Sequence, residues 1–113
     1  MSQTISRDDL KSLINSGNTP TIVEALPKQH YEAEHLPGAI NIPHDVIQLN
    51  ATQLIPNKQE TVVVYCASAE CKNSHIAAET LRQLGYTSVY EYSEGKKDWK
   101  EAGLPLENYR SSQ

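Results

Sequence analysis

Two cysteines five positions apart, Cys66 and Cys71, are the residues of this chain best suited to nucleophilic chemistry. Cys66 directly follows the apolar run TVVVY at residues 61–65, and a polar loop separates it from a helix-like segment that begins near Ser74. The thiol is therefore expected where a buried strand ends and a helix begins. Unpaired backbone N–H groups and the positive end of the helix dipole favour a thiolate there. The sequence predicts a low pKa for Cys66 and fast reaction with electrophiles.

Composition limits the classes of protein to which the chain can belong. Its 113 residues, 38% of them hydrophobic, predict one domain with a modest core. A net charge of −4 and the absence of long Lys/Arg runs argue against binding to nucleic acid or to an anionic membrane. The amino-terminal residues do not resemble a secretory signal, and no apolar run is long enough to span a bilayer. We therefore expect a cytoplasmic protein.

The two cysteines and four histidines do not suggest a metal site or a disulfide framework. Two cysteines are too few to hold together a small secreted domain, and they lack the Cys-x2-Cys spacing of zinc sites. They are expected to be free thiols. No metal and no organic cofactor is implied.

Elements that would position Cys66 follow from the hydrophobic pattern. A first helix is predicted after Ser6, which forms a capping-box pattern with Asp9. Strands are predicted at residues 21–25, 39–42, 61–66 and 88–92, and helical segments at residues 27–35, 45–49, 74–84 and 96–102. Residues 94–97 are expected to form a solvated turn, and residues 108–113 a frayed tail.

Alternation of strands and helices predicts an α/β fold, with an open, mainly parallel sheet flanked by helices. The continuous β-branched run before Cys66 is typical of a central strand that is covered on both faces. Ligands of such sheets bind outside the carboxyl ends of the strands. Cys66 follows the carboxyl end of its strand, so the fold and the thiol point to the same place.

Four short motifs occur in the order found in single-domain rhodanese-like proteins. They are HLPGAINIP at residues 35–43, the strand–Cys66–loop–helix unit, LGY at 84–86 and GKKDWKEAGLP at 95–105. The chain resembles this family over about residues 4–107. The resemblance implies a rhodanese-like fold and a sulfurtransferase, in which Cys66 accepts a sulfane sulfur as a persulfide and passes it to a thiol, cyanide or a protein acceptor. A small sulfur donor or a protein persulfide would be its partner.

The loop after Cys66 has the chemistry that such a reaction needs. Attack on a sulfur–sulfur bond requires a thiolate, and the persulfide carries its charge on the outer sulfur. A cradle of backbone N–H groups at a helix start stabilises both anions, with Ser68 and Ser74 as further donors and Lys72 as a cation for an anionic donor. The predicted substrate-binding residues are Ala67, Ser68, Ala69, Glu70, Cys71, Lys72 and Ser74.

Three departures from the usual family pattern bear on the choice of donor. Glu24-Ala25-Leu26 stands where many members carry Asp-x-Arg, so an arginine that fixes charge near the site is missing. The loop is longer than the commonest form and includes Glu70, and Glu94-Gly95 replaces the usual pair of glycines. Thiosulfate is therefore expected to be a poor donor, and a protein persulfide or another thiol-bound sulfur a better one.

Alternative interpretations remain open at this stage. Cys66 with five residues before Lys72 resembles the Cys-x5-Arg cradle of cysteine-dependent phosphatases and arsenate reductases, but lysine lacks the planar fork that holds a phosphoryl group. A non-catalytic interaction module is a third possibility, which the missing arginine and Glu70 favour and retention of Cys66 opposes. Taken alone, a cysteine after an apolar strand is more often an inert core residue than a nucleophile. Cys71 is a resolving thiol, a second sulfur carrier or a plain loop residue. His75 either assists proton movement or is a surface residue in the first helical turn.

Overall fold

A four-stranded parallel sheet, with helices on both faces, forms the core of the computed structural model, which describes residues 3–17 and 19–108. The strands are β1 (Thr21–Glu24), β2 (Ile40–Asn41), β3 (Thr61–Tyr65) and β4 (Ser88–Tyr92). The helices are α1 (Arg7–Asn15), α2 (Lys28–Ala33), α3 (Ile47–Leu54), α4 (Asn73–Gln83) and α5 (Gly95–Glu101), with a 3₁₀ turn at His44–Val46. The strand order is β2-β1-β3-β4, and every neighbouring pair is parallel. The predicted α/β class is confirmed.

Alternate residues of β1, β3 and β4 enter two separate hydrophobic cores. Val62 and Val64 of β3 pack with Ala77 and Leu81 of α4 on one face of the sheet. Val63 and Tyr65 pack on the other face with a group that includes Trp99. Side chains of a strand alternate between faces, so burial of both sets explains why residues 61–65 are apolar without interruption. The prediction that β3 is a central, doubly covered strand is confirmed.

Local signals in the sequence account for most helix ends. Ser6 caps α1 by accepting a hydrogen bond from the Asp9 backbone N–H at 3.1 Å, as the capping-box pattern predicts. Gly85 follows the end of α4 with a φ of +102°, a left-handed conformation that glycine adopts without a steric penalty. In the described part of the chain, every helix is too short or too polar to span a membrane.

Two elements differ from the sequence-based prediction. The single short helix expected at residues 45–49 is a 3₁₀ turn followed by the eight residues of α3. Ile47 and Ala51 lie on the buried face of α3, but Leu49 is 79% exposed. The apolar residues of this segment therefore do not show the regular spacing that predicts a helix. The second strand pairs only at Ile40–Asn41. Of the tail predicted to be frayed, residues 109–113 lie outside the described residues.

Candidate active site

Cys66 is the first residue after β3, and its thiol lies against the start of α4. It continues the alternation of Val62 and Val64, which pack against α4, so the pleat of the strand directs Cys66 to the same side. Its Sγ atom lies 3.4 Å from Ser74 Oγ and 3.3 Å from the backbone oxygen of Cys71. The residue is 1% exposed. The thiol is thus enclosed between the strand end, the loop and the first turn of α4.

The environment of Cys66 does not produce the low pKa that the sequence suggests. Burial and the hydrogen bond with Cys71 raise the pKa of the Cys66 thiol, the hydroxyl and backbone N–H of Ser74 lower it, and the net result is a pKa of about 11. The helix start therefore favours the thiolate as predicted, but loss of solvation outweighs it. The expectation of a low-pKa thiol is wrong for this conformation.

The structure separates the residues predicted to bind substrate into two groups. Ser74 is buried and lies beside the Cys66 sulfur, and the Cys71 carbonyl accepts a hydrogen bond from the Cys66 thiol. The Ser68 hydroxyl instead donates to Glu70 at 2.9 Å. The remaining members of the set, which line the outside of the loop and are exposed, are Ala67, Ala69, Glu70 and Lys72.

A turn closes the middle of the loop. The Cys71 N–H donates to the Ser68 carbonyl at 3.1 Å, so this N–H is not available to a bound anion. The Ser68 hydroxyl and the nearby Lys97 lower the pKa of the Glu70 carboxyl, which favours its negative charge at the mouth of the loop. Cys66 and Cys71 are both free thiols.

Glu91 is a buried acid at the site that sequence reasoning missed. It is 6% exposed, accepts from Ser74 Oγ at 3.0 Å, and its other oxygen lies 3.5 Å from His75 Nδ1. The signal was present in β4, where Glu91 alternates with Tyr90 and Tyr92 and so shares the core-facing side with Val89. An acid at a core-facing position of a strand requires polar partners. Ser74 and His75 provide them.

A second buried acid lies on the opposite face of the sheet. Glu24 is fully buried at the end of β1, accepts from Tyr65 Oη at 2.6 Å, and lies 3.1 Å from Lys96 Nζ. Burial raises the pKa of Glu24, while the hydrogen bond from Tyr65 and the charge of Lys96 act against that rise. Lys96 therefore provides a buried cation beside Glu24, which lies in a segment where many rhodanese-like proteins carry an arginine and this chain has Glu24-Ala25-Leu26.

Lys96 corrects the prediction that residues 94–97 form a solvated turn. The lysine is 8% exposed, and its ammonium also donates to the backbone oxygens of His30 at 3.0 Å and Glu34 at 2.5 Å. The His30 carbonyl lies in α2 and also accepts from the Glu34 backbone N–H at 3.2 Å, and the Glu34 carbonyl lies just after the helix. The side chain thus joins α5 to the end of α2 and to the acid of β1.

The start of α5 also holds the loop that follows Cys66. The backbone N–H groups of Lys96 and Lys97 donate to the carbonyls of Cys66 and Ala67 at 2.9 and 2.8 Å. Gly95 has a φ of +77°, and a Cβ atom at this position would lie 2.7 Å from the Cys66 carbonyl oxygen. Only glycine permits this approach without displacing backbone.

Two surface cavities flank the loop. One cavity, of about 300 Å³, lies beside Ala67. It is lined by three lysines and three other residues, namely Lys96, Lys97, Lys100, Leu26, His30 and Glu34. The other, of about 190 Å³, is lined mainly by acidic and small residues, including Ser68, Glu70 and Glu94. A larger cavity of about 520 Å³ lies near Thr61, at the amino end of β3 and thus away from the thiol. Within residues 3–17 and 19–108, no cluster of His, Cys, Asp and Glu could hold a metal ion.

The fold and the position of the cysteine define a class of α/β domain in which a thiol at the carboxyl end of the central parallel strand faces a helix start. The sequence profile of the Rhodanese-like domain matches residues 6–102, so the chain belongs to the rhodanese-like family. This confirms the resemblance drawn from the sequence motifs.

Individual proteins of known name show the same likeness. The chain is 41% identical to Escherichia coli thiosulfate sulfurtransferase PspE over 73 residues, which is 65% of this chain and 66% of PspE. It is 32% identical over 103 residues to the Mycobacterium tuberculosis HTH-type transcriptional regulator Rv0324, covering 91% of this chain and 44% of the regulator. The crystal structure of BH2092 from Bacillus halodurans superposes with a TM-score of 0.87 at 26% identity, covering 98% of this chain and 80% of that one.

The relatives include a thiosulfate sulfurtransferase. They also include a regulator in which the matching region is less than half of the protein. The chain spans 44%, 49% and 66% of the lengths of three curated relatives, the regulator Rv0324, the putative sulfur carrier protein YrkF of Bacillus subtilis and PspE. The fold is therefore established, while the reaction of this chain is a matter for proposal.

Proposed function

We propose that this protein is a sulfurtransferase that moves a sulfane sulfur through a persulfide on Cys66 to a thiol, cyanide or a protein acceptor. The observation that carries the proposal is the position of the Cys66 thiol, at the carboxyl end of β3 and in contact with Ser74 at the start of α4. The likeness to PspE, a thiosulfate sulfurtransferase, supports the same activity.

The chemistry follows from the groups around the sulfur. The Cys66 thiolate attacks the outer sulfur of the donor, a new sulfur–sulfur bond forms, and the donor's bond breaks with its electron pair on the leaving group, which is sulfite when the donor is thiosulfate. An acceptor nucleophile then attacks the outer sulfur of the persulfide and releases the Cys66 thiolate. The Ser74 N–H and hydroxyl stabilise the anionic sulfur in both steps.

The surface of the loop supports a thiol-bound or protein-bound donor. Glu70 is exposed and its pKa is lowered, so a negative charge stands at the entrance and opposes a free dianion such as thiosulfate. Lys97 and Lys100 line the cavity beside Ala67 and provide cations on the other side. We propose that residues 67–72 and Ser74 contact the donor, with Lys72 as a cation for its anionic group.

Intact-protein mass spectrometry tests the proposal. The protein is incubated with thiosulfate or with a low-molecular-weight persulfide, and wild type is compared with Cys66→Ser and with the matched variant Cys71→Ser. A gain of one sulfur mass that needs Cys66, survives in Cys71→Ser and is discharged by cyanide is the expected result. Loss of the sulfur adduct in both variants would show that Cys71 takes part in sulfur loading together with Cys66.

A non-catalytic interaction module is the second candidate, and enclosure of Cys66 at 1% exposure is the observation that favours it. In that case no donor would add sulfur to the folded protein, although Cys66 would still react after unfolding. Phosphatase or arsenate reductase chemistry ranks third, because Lys72 stands where those enzymes use arginine and is exposed on the loop. Hydrolysis of an aryl phosphate without sulfur loading would favour it.

A further inference from the structure

We propose that Ser74, Glu91 and His75 form a proton path that takes the thiol proton of Cys66 as the sulfur donor is attacked; the inference rests on the sulfurtransferase function proposed above. Consecutive contacts link the four groups. Cys66 Sγ lies 3.4 Å from Ser74 Oγ, which donates to Glu91 Oε2 at 3.0 Å, and Glu91 Oε1 lies 3.5 Å from His75 Nδ1. The path begins at a buried atom and ends at a half-exposed imidazole.

The fold holds the middle of the path rigidly. Ser74 lies on the buried face of α4, three residues before Ala77 and four before Ala78, and so faces the sheet. Glu91 is fixed by two backbone hydrogen bonds to the amino-terminal segment, its N–H donating to the Gln3 carbonyl at 2.7 Å and its carbonyl accepting from Ile5 at 3.0 Å. Both groups are therefore positioned before a donor arrives.

The proton transfer balances without an external reagent. The Cys66 proton passes to Ser74 Oγ while the hydroxyl proton of Ser74 passes to Glu91 Oε2. Rotation of the protonated Glu91 carboxyl then presents this proton to His75 Nδ1, which takes it up and leaves an imidazolium beside a carboxylate. The electron pair left on Cys66 Sγ forms the bond to the donor's outer sulfur, and the donor's leaving group departs with its own pair. Solvent then receives the proton from His75, whose side chain is 52% exposed.

Other titratable groups face this path from the elements packed against it. Arg82, two turns after Ser74, donates to Glu79 and to the Val89 carbonyl, both at 2.9 Å. The segment that pairs with Glu91 consists of Gln3, Thr4 and Ile5, which do not titrate. The loop adds Glu70, Cys71 and Lys72, and the 3₁₀ turn adds His44 and Asp45.

A base is needed because the thiol is poorly acidic in this conformation. With a pKa of about 11, the Cys66 thiol is protonated in nearly all molecules at pH 7. General-base catalysis contributes about 10²- to 10⁴-fold. An imidazole is suited to this task, because it changes its charge between about pH 5 and 8.

The test compares pH profiles of two reactions on the full chain. Rates of persulfide loading and of Cys66 alkylation by iodoacetamide are measured from pH 6 to 9.5, with peptide mass spectrometry to separate Cys66 from Cys71. The variants are His75→Gln, at an exposed position that spares the core, and Glu91→Gln, with Glu79→Gln on the surface of α4 as the matched control. Alkylation reports on the proton path even if no donor loads sulfur, so the two proposals fail separately.

Wild type and Glu79→Gln are expected to gain rate between pH 6 and 8 and then to level off. In His75→Gln and Glu91→Gln, both rates should be about 10²-fold lower than in wild type at pH 7. They should rise about tenfold per pH unit, so that the difference from wild type disappears at high pH. A structural defect would lower the rate by the same factor at every pH. Profiles parallel to wild type in both variants would overturn the proton path.

Discussion

Lys96→Met is the change that most directly tests how the site is held together. The substitution keeps most of the side-chain volume but removes the ammonium that lies 3.1 Å from the fully buried Glu24. Removing one partner of a buried ion pair costs about 3–5 kcal/mol, because it leaves the other charge without compensation. The backbone oxygens of His30 and Glu34 also lose a donor. We expect a loss of about 4 kcal/mol in the free energy of unfolding.

The cost should depend on pH in a defined direction. Burial already raises the pKa of Glu24, and loss of Lys96 removes two of the causes that lower it, so the pKa rises further in the variant. A carboxyl whose folded-state pKa lies above its unfolded value contributes stability that is present below the unfolded pKa and is lost as pH rises through the folded pKa. The difference between wild type and Lys96→Met should therefore be largest near pH 7 and shrink toward pH 4.

Urea unfolding at several pH values measures this difference. Lys100→Met is the matched control from the same helix, since Lys100 is exposed and its ion pair with Glu34 is worth less than about 1 kcal/mol. The double variant Glu24→Gln, Lys96→Met should recover most of the lost stability, because no buried charge remains. A loss below about 1 kcal/mol in Lys96→Met, or a loss that does not change with pH, would refute the buried ion pair as described.

Two further changes probe the loop. Gly95→Ala should cost about 2 kcal/mol or more, because the new Cβ would lie 2.7 Å from the Cys66 carbonyl oxygen and 2.8 Å from the Ser68 backbone nitrogen. Gly38→Ala, with a similar φ of +76° and open space around it, should cost about 1 kcal/mol in the same urea experiment, and equal costs would contradict the close approach. Lys72→Ala should slow sulfur loading from an anionic donor more than from a neutral one, and this gap should narrow at high salt; equal losses would remove the proposed role of Lys72.

The strands and the position of Cys66 follow from local patterns. An uninterrupted apolar run is required where a strand is covered on both faces, and this feature of residues 61–65 placed β3 in the centre of the sheet and Cys66 at its end. The start of α4 was predicted to within a residue, because the loop is polar and the buried positions follow at helical spacing. Such signals are short-range and can be read from a single sequence.

The electrostatics of the site could not be predicted in the same way. Lys96 lies in a polar segment that has the composition of an exposed turn, and its partners Glu24 and His30 are more than sixty residues away in the chain. The pKa of Cys66 depends on a balance between the helix start, which the sequence indicates, and enclosure by the loop, which it does not. Burial of polar groups is decided by packing between distant elements, and sequence pattern alone carries little information about it.

The two buried acids, Glu24 and Glu91, have partners of different kinds and different roles. Glu24 is paired with a lysine, whose charge is constant at physiological pH, and this pair joins β1, α2 and α5 whatever the state of the thiol. Glu91 is paired with a histidine, whose charge is not constant, and it is the acid connected to Cys66 through Ser74. A permanent cation next to a carboxylate favours the ionised form and makes the carboxylate a weaker base. The acid that can exchange a proton therefore lies on the face of the sheet that carries the Cys66 thiol, and the pair with a fixed charge lies on the opposite face.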